Sequence, residues 1–317
     1  MRLLYLKANF DKERFIRNME ALKRENQAYK DVLCSKQYKI GKYFSEFSDA
    51  FHSLTQFRKY LRILNGKFRW KKLCKLYPIN QNSVSRVNKA NYFFNEEIII
   101  YTSIFGNYDL PQEPVFKPDN CKFLIFTDQE ISADSVWEKQ ELPLELLNGN
   151  YTNAEKNRFC KMLPHHLFPN AHYSIYIDGN IKSITDLTEF VNCCSEIGMA
   201  LHMHKARRCV YEELEACRLL KKAPISAIDA YKRFLERQHF PRNYGMNECN
   251  VIVRDHANPV VCQIMEEWWD TFKKGDVKRD QLSFPFLLYK HGIKPSEIAT
   301  LGMNVQENPA IRVVEHI

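Results

Sequence analysis

The sequence predicts an α/β protein with a mixed, mostly parallel sheet, preceded by a basic helical N-terminal region. Short apolar runs typical of buried strands alternate with amphipathic helical segments across residues 96–317. The charge is divided unevenly: residues 1–95 hold 21 Lys or Arg against 7 Asp or Glu, and the remainder holds 25 against 31. With 317 residues, 45% of them hydrophobic, the chain is long enough to bury a large core. We therefore predict two parts, residues 1–95 and residues 96–317.

The N-terminal part, residues 1–95, is predicted to be helical with a basic side. Residues 11–36 are polar and indicate an exposed helix or a mobile arm. From Phe51 to Phe68, apolar residues recur every three or four positions with basic residues between them, and Gly66 is a possible interruption. Two interpretations remain open. The apolar face docks on the main domain, or residues 51–75 bind an anionic membrane surface, with nucleic acid a less favoured partner.

The second part begins after a polar run at residues 80–91, which predicts a linker. Strands are predicted at residues 97–104, 123–127, 174–177, 198–204 and 247–254. Helices are predicted at residues 153–163, 211–222, 223–239 and 257–274, with a last one opening at residues 279–284. This alternation favours crossover connections and a largely parallel sheet.

Polar residues follow these strands or open these helices at three places. Asp178 and Asn180 follow a strand, His204 with Arg207 and Arg208 follows another, and Asp280 with Gln281 opens the last helix. Because strand ends in open α/β sheets face one crevice, we expect these groups to converge there. A carboxylate with an amide oxygen can bind a hard divalent ion, and basic residues, including Arg158 and Lys161, can neutralise a leaving diphosphate.

Simpler interpretations stand beside these. Asp178 and Gly179 form an ordinary turn sequence. His202 and His204 share one strand face, but without a third ligand a metal pair is the less favoured interpretation. The ten scattered cysteines lack any C-x-x-C spacing, which argues against zinc sites and a disulfide framework.

Several reaction types are disfavoured by missing motifs. Tyr176 occupies the position where an Asp-x-Asp-Gly-Thr phosphatase needs its first acid, and H-E-x-x-H, G-x-S-x-G and P-loop motifs are absent. Nucleotidyl transfer remains open. The sequence also lacks a run of roughly 18 apolar residues and a signal-type start, so we expect a cytoplasmic protein, peripheral on the inner face of a membrane.

Six segments together resemble a known family. They are residues 101–109, 164–169, 174–181, 204–212, 248–252 and 279–284, in consistent order. The sequence resembles the glycosyltransferase-like domain of plant turgor-defect and mucilage-related proteins and of bacterial surface-polysaccharide loci. The resemblance implies a GT-A-like, Rossmann-type domain that transfers a hexose or pentose from a nucleotide-sugar donor to a surface-polysaccharide or lipid-linked glycan acceptor. The alternatives are an inactive sugar- or nucleotide-binding protein of the same fold and a nucleotidyltransferase.

The resemblance also implies roles for single residues. Asp178 matches the first acid of an Asp-x-Asp motif that binds Mn²⁺ or Mg²⁺, whereas Asn180 replaces the second acid and implies a weaker metal site. Asp280, Gln281 and Asp178 are the implied catalytic residues. The expected donor-binding residues are Thr102, Phe105, Gly106, Tyr108, Arg158, Lys161, Asp178, Gly179, Asn180, His204, Arg207 and Arg208. Asn247, Glu248 and Asn250 are expected on the acceptor side.

Overall fold

The computed structural model describes residues 2–76, 96–194, 197–295, 297–302 and 304–316. The linker predicted at residues 80–91, and with it the boundary at residue 95, lies outside or at the edge of these residues. The N-terminal region forms three helices: α1 (Arg2–Cys34), α2 (Lys36–Asp49) and α3 (Leu54–Leu76). Helix α3 passes through Gly66 without a break and starts after Phe51, because the Ser53 hydroxyl accepts a hydrogen bond from the Gln56 N–H and caps the helix.

The remainder of the chain is built on a seven-stranded sheet of order β3-β2-β1-β4-β7-β6-β8, with a small second sheet of β5 and β9. The strands are β1 (Ile98–Ile104), β2 (Cys121–Thr127), β3 (Glu138–Lys139), β4 (Tyr173–Ile177), β5 (Ile181–Ser183), β6 (Met199–Met203), β7 (Asn247–Asp255), β8 (Ala299–Thr300) and β9 (Ile311–Val313). In the large sheet, β7 runs antiparallel to β4 and β6, and the other pairings are parallel. The prediction of a mixed, mostly parallel sheet is confirmed.

Eight further helices accompany these strands in the described residues. They are α4 (Leu144–Asn148), α5 (Asn153–Met162), α6 (Pro164–Leu167), α7 (Thr188–Val191), α8 (Val210–Leu219), α9 (Ile225–Arg237), α10 (Pro259–Lys274) and α11 (Asp280–Lys290). The five strands and five helices predicted in this part all occur, with ends within three residues of the predicted ones. The short elements β3, β5, β8, β9, α4, α6 and α7 were not predicted.

Hydrophobic side chains cover both faces of the large sheet. Along β1, Ile98 and Ile100 contribute to one buried cluster, and Ile99 and Tyr101 contribute to the other. A parallel strand buried on both faces explains why its sequence is a continuous apolar run instead of an alternating one. The ten cysteines are unpaired, and six of them are buried.

Helix α1 is joined to the C-terminal segment by hydrogen bonds. The Asn26 side chain is buried, and its Nδ2 donates to the carbonyl oxygens of Pro309 and Ile311, both at 2.9 Å. Arg312 Nε donates to Asn26 Oδ1 at 2.9 Å. Lys23 also forms a 2.8 Å ion pair with Glu189 at α7. The N-terminal helices therefore pack directly against the α/β part of the chain.

The apolar residues predicted to form one face of α3 are largely exposed. Phe51, Leu54 and Phe68 are 66–70% exposed, whereas Tyr60 and Leu73 are buried. Helix α2 adds Phe44 and further exposed aromatic rings to the same region. Among the described residues, no helix has the length and apolar composition to cross a bilayer.

Candidate active site

A cleft of about 480 Å³ opens at the carboxyl ends of β1 and β4. One face of α5, the start of α11, the end of β9 and His316 complete its walls. Six charged residues line it, three carboxylates and three cations: Asp109, Asp178, Asp280, Arg158, Lys161 and Arg279. The formal charges of these six side chains therefore sum to zero before any ligand binds.

A buried lysine joins the two carboxylates predicted to be catalytic. Lys161 Nζ lies 2.8 Å from Asp280 Oδ2 and 3.3 Å from Asp178 Oδ1, and its side chain is only 2% exposed. Arg158, one helical turn earlier on α5, places its Nε 3.1 Å from the same Asp280 oxygen. Asp280 is thus held by two cations, and Asp178, with a side chain 32% exposed, faces the open part of the cleft.

The electrostatic environment keeps Asp280 charged. Burial alone raises a carboxyl pKa, but Arg158 and Lys161 outweigh it and hold the pKa of Asp280 well below its ordinary value. Burial likewise opposes the charge of Arg158, and the neighbouring Asp280 and Asp178 raise its pKa above the ordinary value. The group is an ionised cluster in which each charge depends on the others.

Helix α5 is fixed at both ends, and this positions its two cations. At its start, Thr152 and Glu155 form a reciprocal capping box. At its end, the fully buried Arg254 donates to the Lys161 carbonyl at 2.5 Å and to the Tyr101 hydroxyl at 2.8 Å. The Tyr101 hydroxyl lies 3.1 Å from the carbonyl of Cys160, the residue before Lys161. The last carbonyls of the helix are therefore satisfied from within the core.

The turn after β4 is shaped by close packing. The Asp178 N–H donates to the Asn250 carbonyl at 2.8 Å, which continues the pairing of β4 with β7. A Cβ atom on Gly179 would lie 2.7 Å from Ile104 Cγ1, so only glycine fits between Asp178 and Asn180 without displacing the Ile104 side chain. Asn180 Nδ2 donates to the Val314 carbonyl at 3.0 Å. This bond joins the turn to the C-terminal segment.

Four side chains at this end of the cleft carry donors suited to a divalent cation. They are Asp178, Asn180, Asp109 and His316. Because Asn180 uses its amide nitrogen for Val314, its oxygen remains as the ligand group. His316 Nδ1 lies 2.9 Å from Asp109 Oδ1, so the imidazole is held at the wall by a carboxylate. Carboxylate, amide and imidazole donors suit Mn²⁺, and the oxygen donors suit Mg²⁺.

The structure brings ten of the predicted site residues into one cleft. They are Phe105, Tyr108, Arg158, Lys161, Asp178, Gly179, Asn180, Asn250, Asp280 and Gln281. Gly106 lies beside it with a φ of 70°, and its N–H donates to the Asp128 carboxylate. Gly106 thus shapes the turn after β1, and Thr102 is buried inside β1.

The other predicted residues lie outside the cleft lining. Arg207 is buried in an ion pair with Glu213, and the His204 ring accepts the N–H groups of Ala206 and Arg207. Burial lowers the pKa of His204 to about 4, so its ring is neutral. Arg208 precedes α8, and Asn247 is buried at the start of β7.

Glu248 and His202 also have structural partners. Glu248 accepts the N–H groups of Lys205 and Val305, at 3.1 and 2.8 Å. The buried His202 lies 3.0 Å from the Asn308 amide, and burial lowers its pKa to about 3. These contacts tie β6 and β7 to the loop after β8.

Eleven cleft residues were not predicted as site residues from the sequence, and four of them bear on the chemistry of the site: Asn157, Arg279, Asp109 and His316. Asn157, one turn before Lys161, donates to the Ser103 carbonyl at 2.6 Å, so it connects α5 to β1. Arg279 immediately precedes the predicted Asp280, and this adjacency was the sequence feature that could have indicated its place in the cleft. Asp109 closes the predicted first turn, whereas nothing in the sequence pointed to His316.

Comparison with known proteins identifies the family. The model of the TOD1/MUCI70, glycosyltransferase-like domain matches residues 79–314. The chain belongs to this family. The predicted resemblance is thereby confirmed, and the family agrees with a GT-A-like α/β fold and with glycosyl transfer as the general activity.

Within the TOD1/MUCI70 family, the chain is similar to a probable hexosyltransferase, MUCI70, of Arabidopsis thaliana. The two are 24% identical over 218 residues, which cover 59% of this chain and 36% of the plant protein. The chain therefore spans about a third of the length of that relative.

Solved structures similar to this member of the TOD1/MUCI70 family are also glycosyltransferases. The bifunctional glycosyltransferase WbbM aligns with a TM-score of 0.41 and 11% identity over 62% of this chain and 38% of its own. Mouse xyloside xylosyltransferase 1 aligns with a TM-score of 0.39 and 10% identity over 64% of this chain and 83% of its own. GlyE of Streptococcus pneumoniae TIGR4 aligns with a TM-score of 0.34 and 10% identity over 66% of this chain and 45% of its own.

Proposed function

We propose that this protein transfers a sugar, hexose or pentose, from a nucleotide-diphosphate donor to a surface-polysaccharide or lipid-linked glycan acceptor. The observation that supports this most is the cleft in which Lys161 bridges Asp178 and Asp280 at the carboxyl ends of the central strands. The cleft combines an exposed carboxylate, a buried carboxylate and several cations, the groups that departure of a diphosphate from a sugar requires.

The donor diphosphate is proposed to bind between the Asp178 turn and Arg279. Arg158 and Lys161 are already paired with Asp280. Their positive charge still attracts a diphosphate to the cleft, but the atoms that pair with Asp280 do not bind it directly. Arg279 lines the cleft beside them. Tyr108, 65% exposed and packed against the His316 ring, offers an aromatic face to the nucleobase.

Mn²⁺ or Mg²⁺ is the proposed cofactor. The three carboxylates and three cations of the wall balance, so a diphosphate adds negative charge that the wall alone does not neutralise. Asp178, Asn180 and His316 would hold the ion, whose role is to neutralise the diphosphate as it leaves. Asp280, kept ionised within the cluster, is placed to stabilise positive charge that develops on the reacting sugar.

A thermal-shift panel of nucleotide sugars tests this function. Uridine, guanosine and cytidine diphosphate sugars, each with and without Mn²⁺, are added to the full chain. A ligand at a hundredfold excess over its Kd stabilises the folded state by about 2.7 kcal/mol, so we expect one nucleotide class to raise the melting temperature by several degrees. Turnover of the stabilising donor should then be measured.

The panel separates the alternatives. Binding without hydrolysis or transfer would favour an inactive binding protein. Nucleoside triphosphates with sugar phosphates are added as a further set, and stabilisation by these would favour a nucleotidyltransferase. The proposal fails if no nucleotide sugar stabilises the protein under either metal condition.

A second part of the proposal concerns the membrane. We propose that residues 51–75, with the exposed rings of α2, hold the protein at the cytoplasmic face of an anionic membrane, where a lipid-linked acceptor resides. Residues 36–76 carry 11 basic and 2 acidic side chains, and the exposed apolar residues Phe51, Leu54 and Phe68 lie among them. Basic and apolar groups together are the composition of an interfacial helix.

We expect the full chain to bind vesicles that contain phosphatidylserine and not vesicles of phosphatidylcholine alone. Arg58→Gln with Lys59→Gln should weaken binding about 30-fold, since each basic residue contributes about 1 kcal/mol at an anionic surface. Lys232→Gln with Arg233→Gln on α9 is the matched control. Salt-sensitive binding to RNA without vesicle binding would decide for nucleic acid instead.

A further inference from the structure

A cluster of metal-ligating side chains lies away from the cleft. His165 and His166 on α6 both approach Glu266 on α10, and their Nε2 atoms lie 2.9 and 2.5 Å from the same Glu266 oxygen. The donor atoms of the three residues lie within 4.8 Å of one another. Neither the donor nor the acceptor functions proposed above use this cluster.

We propose that His165, His166 and Glu266 form a binding site for a zinc-type transition-metal ion. Two imidazole nitrogens and one carboxylate are a donor set that suits Zn²⁺ and disfavours Mg²⁺ and Ca²⁺, which prefer oxygen ligands. Three protein ligands leave one position of a tetrahedral ion for water.

The geometry requires little adjustment to accept the ion. Bonds of about 2.0–2.1 Å place tetrahedral donors about 3.4 Å apart, a spacing that lies between the 2.5 Å contact of His166 with Glu266 and the 4.8 Å limit of the cluster. Without a metal, both Nε2 atoms must carry a proton and share one acceptor oxygen. A bound ion replaces both of those protons, and each Nε2 atom binds it through the lone pair that the proton had used.

The side chains of the cluster can be reached from solvent. The His166 side chain is 50% exposed and the Glu266 side chain 45% exposed, so an ion can enter from solvent.

The location suggests what the ion does. Helix α6 directly follows α5, which carries Arg158 and Lys161, and the chain then enters β4, which ends immediately before Asp178. An ion held by α6 and α10 would fasten this connection to the helix that covers it. Bound there, the ion stiffens the segment between the two halves of the cleft.

Metal titration of the full chain, without a polyhistidine tag, tests the site. After chelator dialysis, Co²⁺ is added and its visible absorption is recorded, and Zn²⁺ affinity is measured by competition with a chromophoric chelator. We expect the most tightly bound ion to give bands typical of nitrogen and oxygen ligands. Glu266→Gln and the double variant His165→Ala/His166→Ala should each bind Zn²⁺ at least about tenfold more weakly.

Two controls separate this site from others. His172 contacts Glu96 and Asp255 at 2.7 and 3.3 Å on another part of the surface, so His172→Ala should leave the affinity unchanged. Asp178→Asn should also leave it unchanged, which separates the result from any ion in the cleft. Equal Zn²⁺ affinity in the wild type and in both cluster variants, or thiolate charge-transfer bands, would overturn the proposal. Glu266→Gln keeps the assignment testable if the double variant does not fold.

Discussion

Asp280→Asn is expected to lower the free energy of unfolding by about 3–5 kcal/mol near pH 7, because it removes the carboxylate that pairs with both the buried Lys161 and the partly buried Arg158. Lys161 is 2% exposed and loses its 2.8 Å partner, and Arg158 loses its 3.1 Å partner. The substitution keeps the shape of the side chain, so the loss reports charge and not a cavity. Denaturant unfolding of both proteins measures it.

The pH dependence of this loss identifies its origin. The folded-state pKa of Asp280 lies below its unfolded value, so the stabilisation is fully present above an unfolded pKa of about 3.9 and is lost as pH falls toward the folded pKa. The difference between wild type and Asp280→Asn should therefore be constant from pH 5 to 7 and shrink below about pH 4. Asp270→Asn, which breaks an exposed pair with Lys274, should cost less than about 1 kcal/mol. Equal effects of the two substitutions would contradict the cluster.

Asp178→Asn is expected to reduce sugar transfer by about 10²–10³-fold with a much smaller change in stability. Asp178 is one-third exposed and faces the open cleft, and Lys161 retains its closer contact with Asp280 when the Asp178 charge is removed. The loss should therefore appear in turnover and in Mn²⁺ dependence. Donor turnover at several Mn²⁺ concentrations, with unfolding curves alongside, separates the two effects.

Two further variants sharpen this measurement. Asn180→Asp restores a second carboxylate and should tighten Mn²⁺ binding if the turn holds the ion. Asp134→Asn removes an exposed loop carboxylate outside the cleft and should leave transfer unchanged. Unaltered turnover in Asp178→Asn would remove this residue from the proposed mechanism.

The central fold was predictable because its strands are buried on both faces. All seven positions from Ile98 to Ile104 are buried, and the strand opens with three consecutive isoleucines, which distinguishes it from a surface segment. The three-residue strands β5 and β9 pair residues about 130 positions apart, and neither carries a pattern long enough to detect. Short elements of this kind are fixed by tertiary hydrogen bonds and not by local periodicity.

The site residues that directly follow a long strand or begin a long helix were predictable from the sequence. Asp178 follows β4 and Asp280 opens α11, so the topology of the sheet brings them to one edge. The burial of Lys161 was not predictable, because its charge indicates a solvent-exposed helix face and its carboxylate partners are distant in sequence. His316 belongs to the cleft only because Asn180 and Asp109 hold the C-terminal segment there.

The three hydrogen bonds between Asn26 and the C-terminal segment also bear on how the catalytic part can be isolated. That segment supplies Val313 and His316 to the cleft wall, and a chain started at residue 96 would leave the carbonyl oxygens of Pro309 and Ile311 without their buried donor. The smallest intact transferase unit is therefore larger than its sheet. Its first helix supports the part of the cleft wall that the C-terminal segment forms.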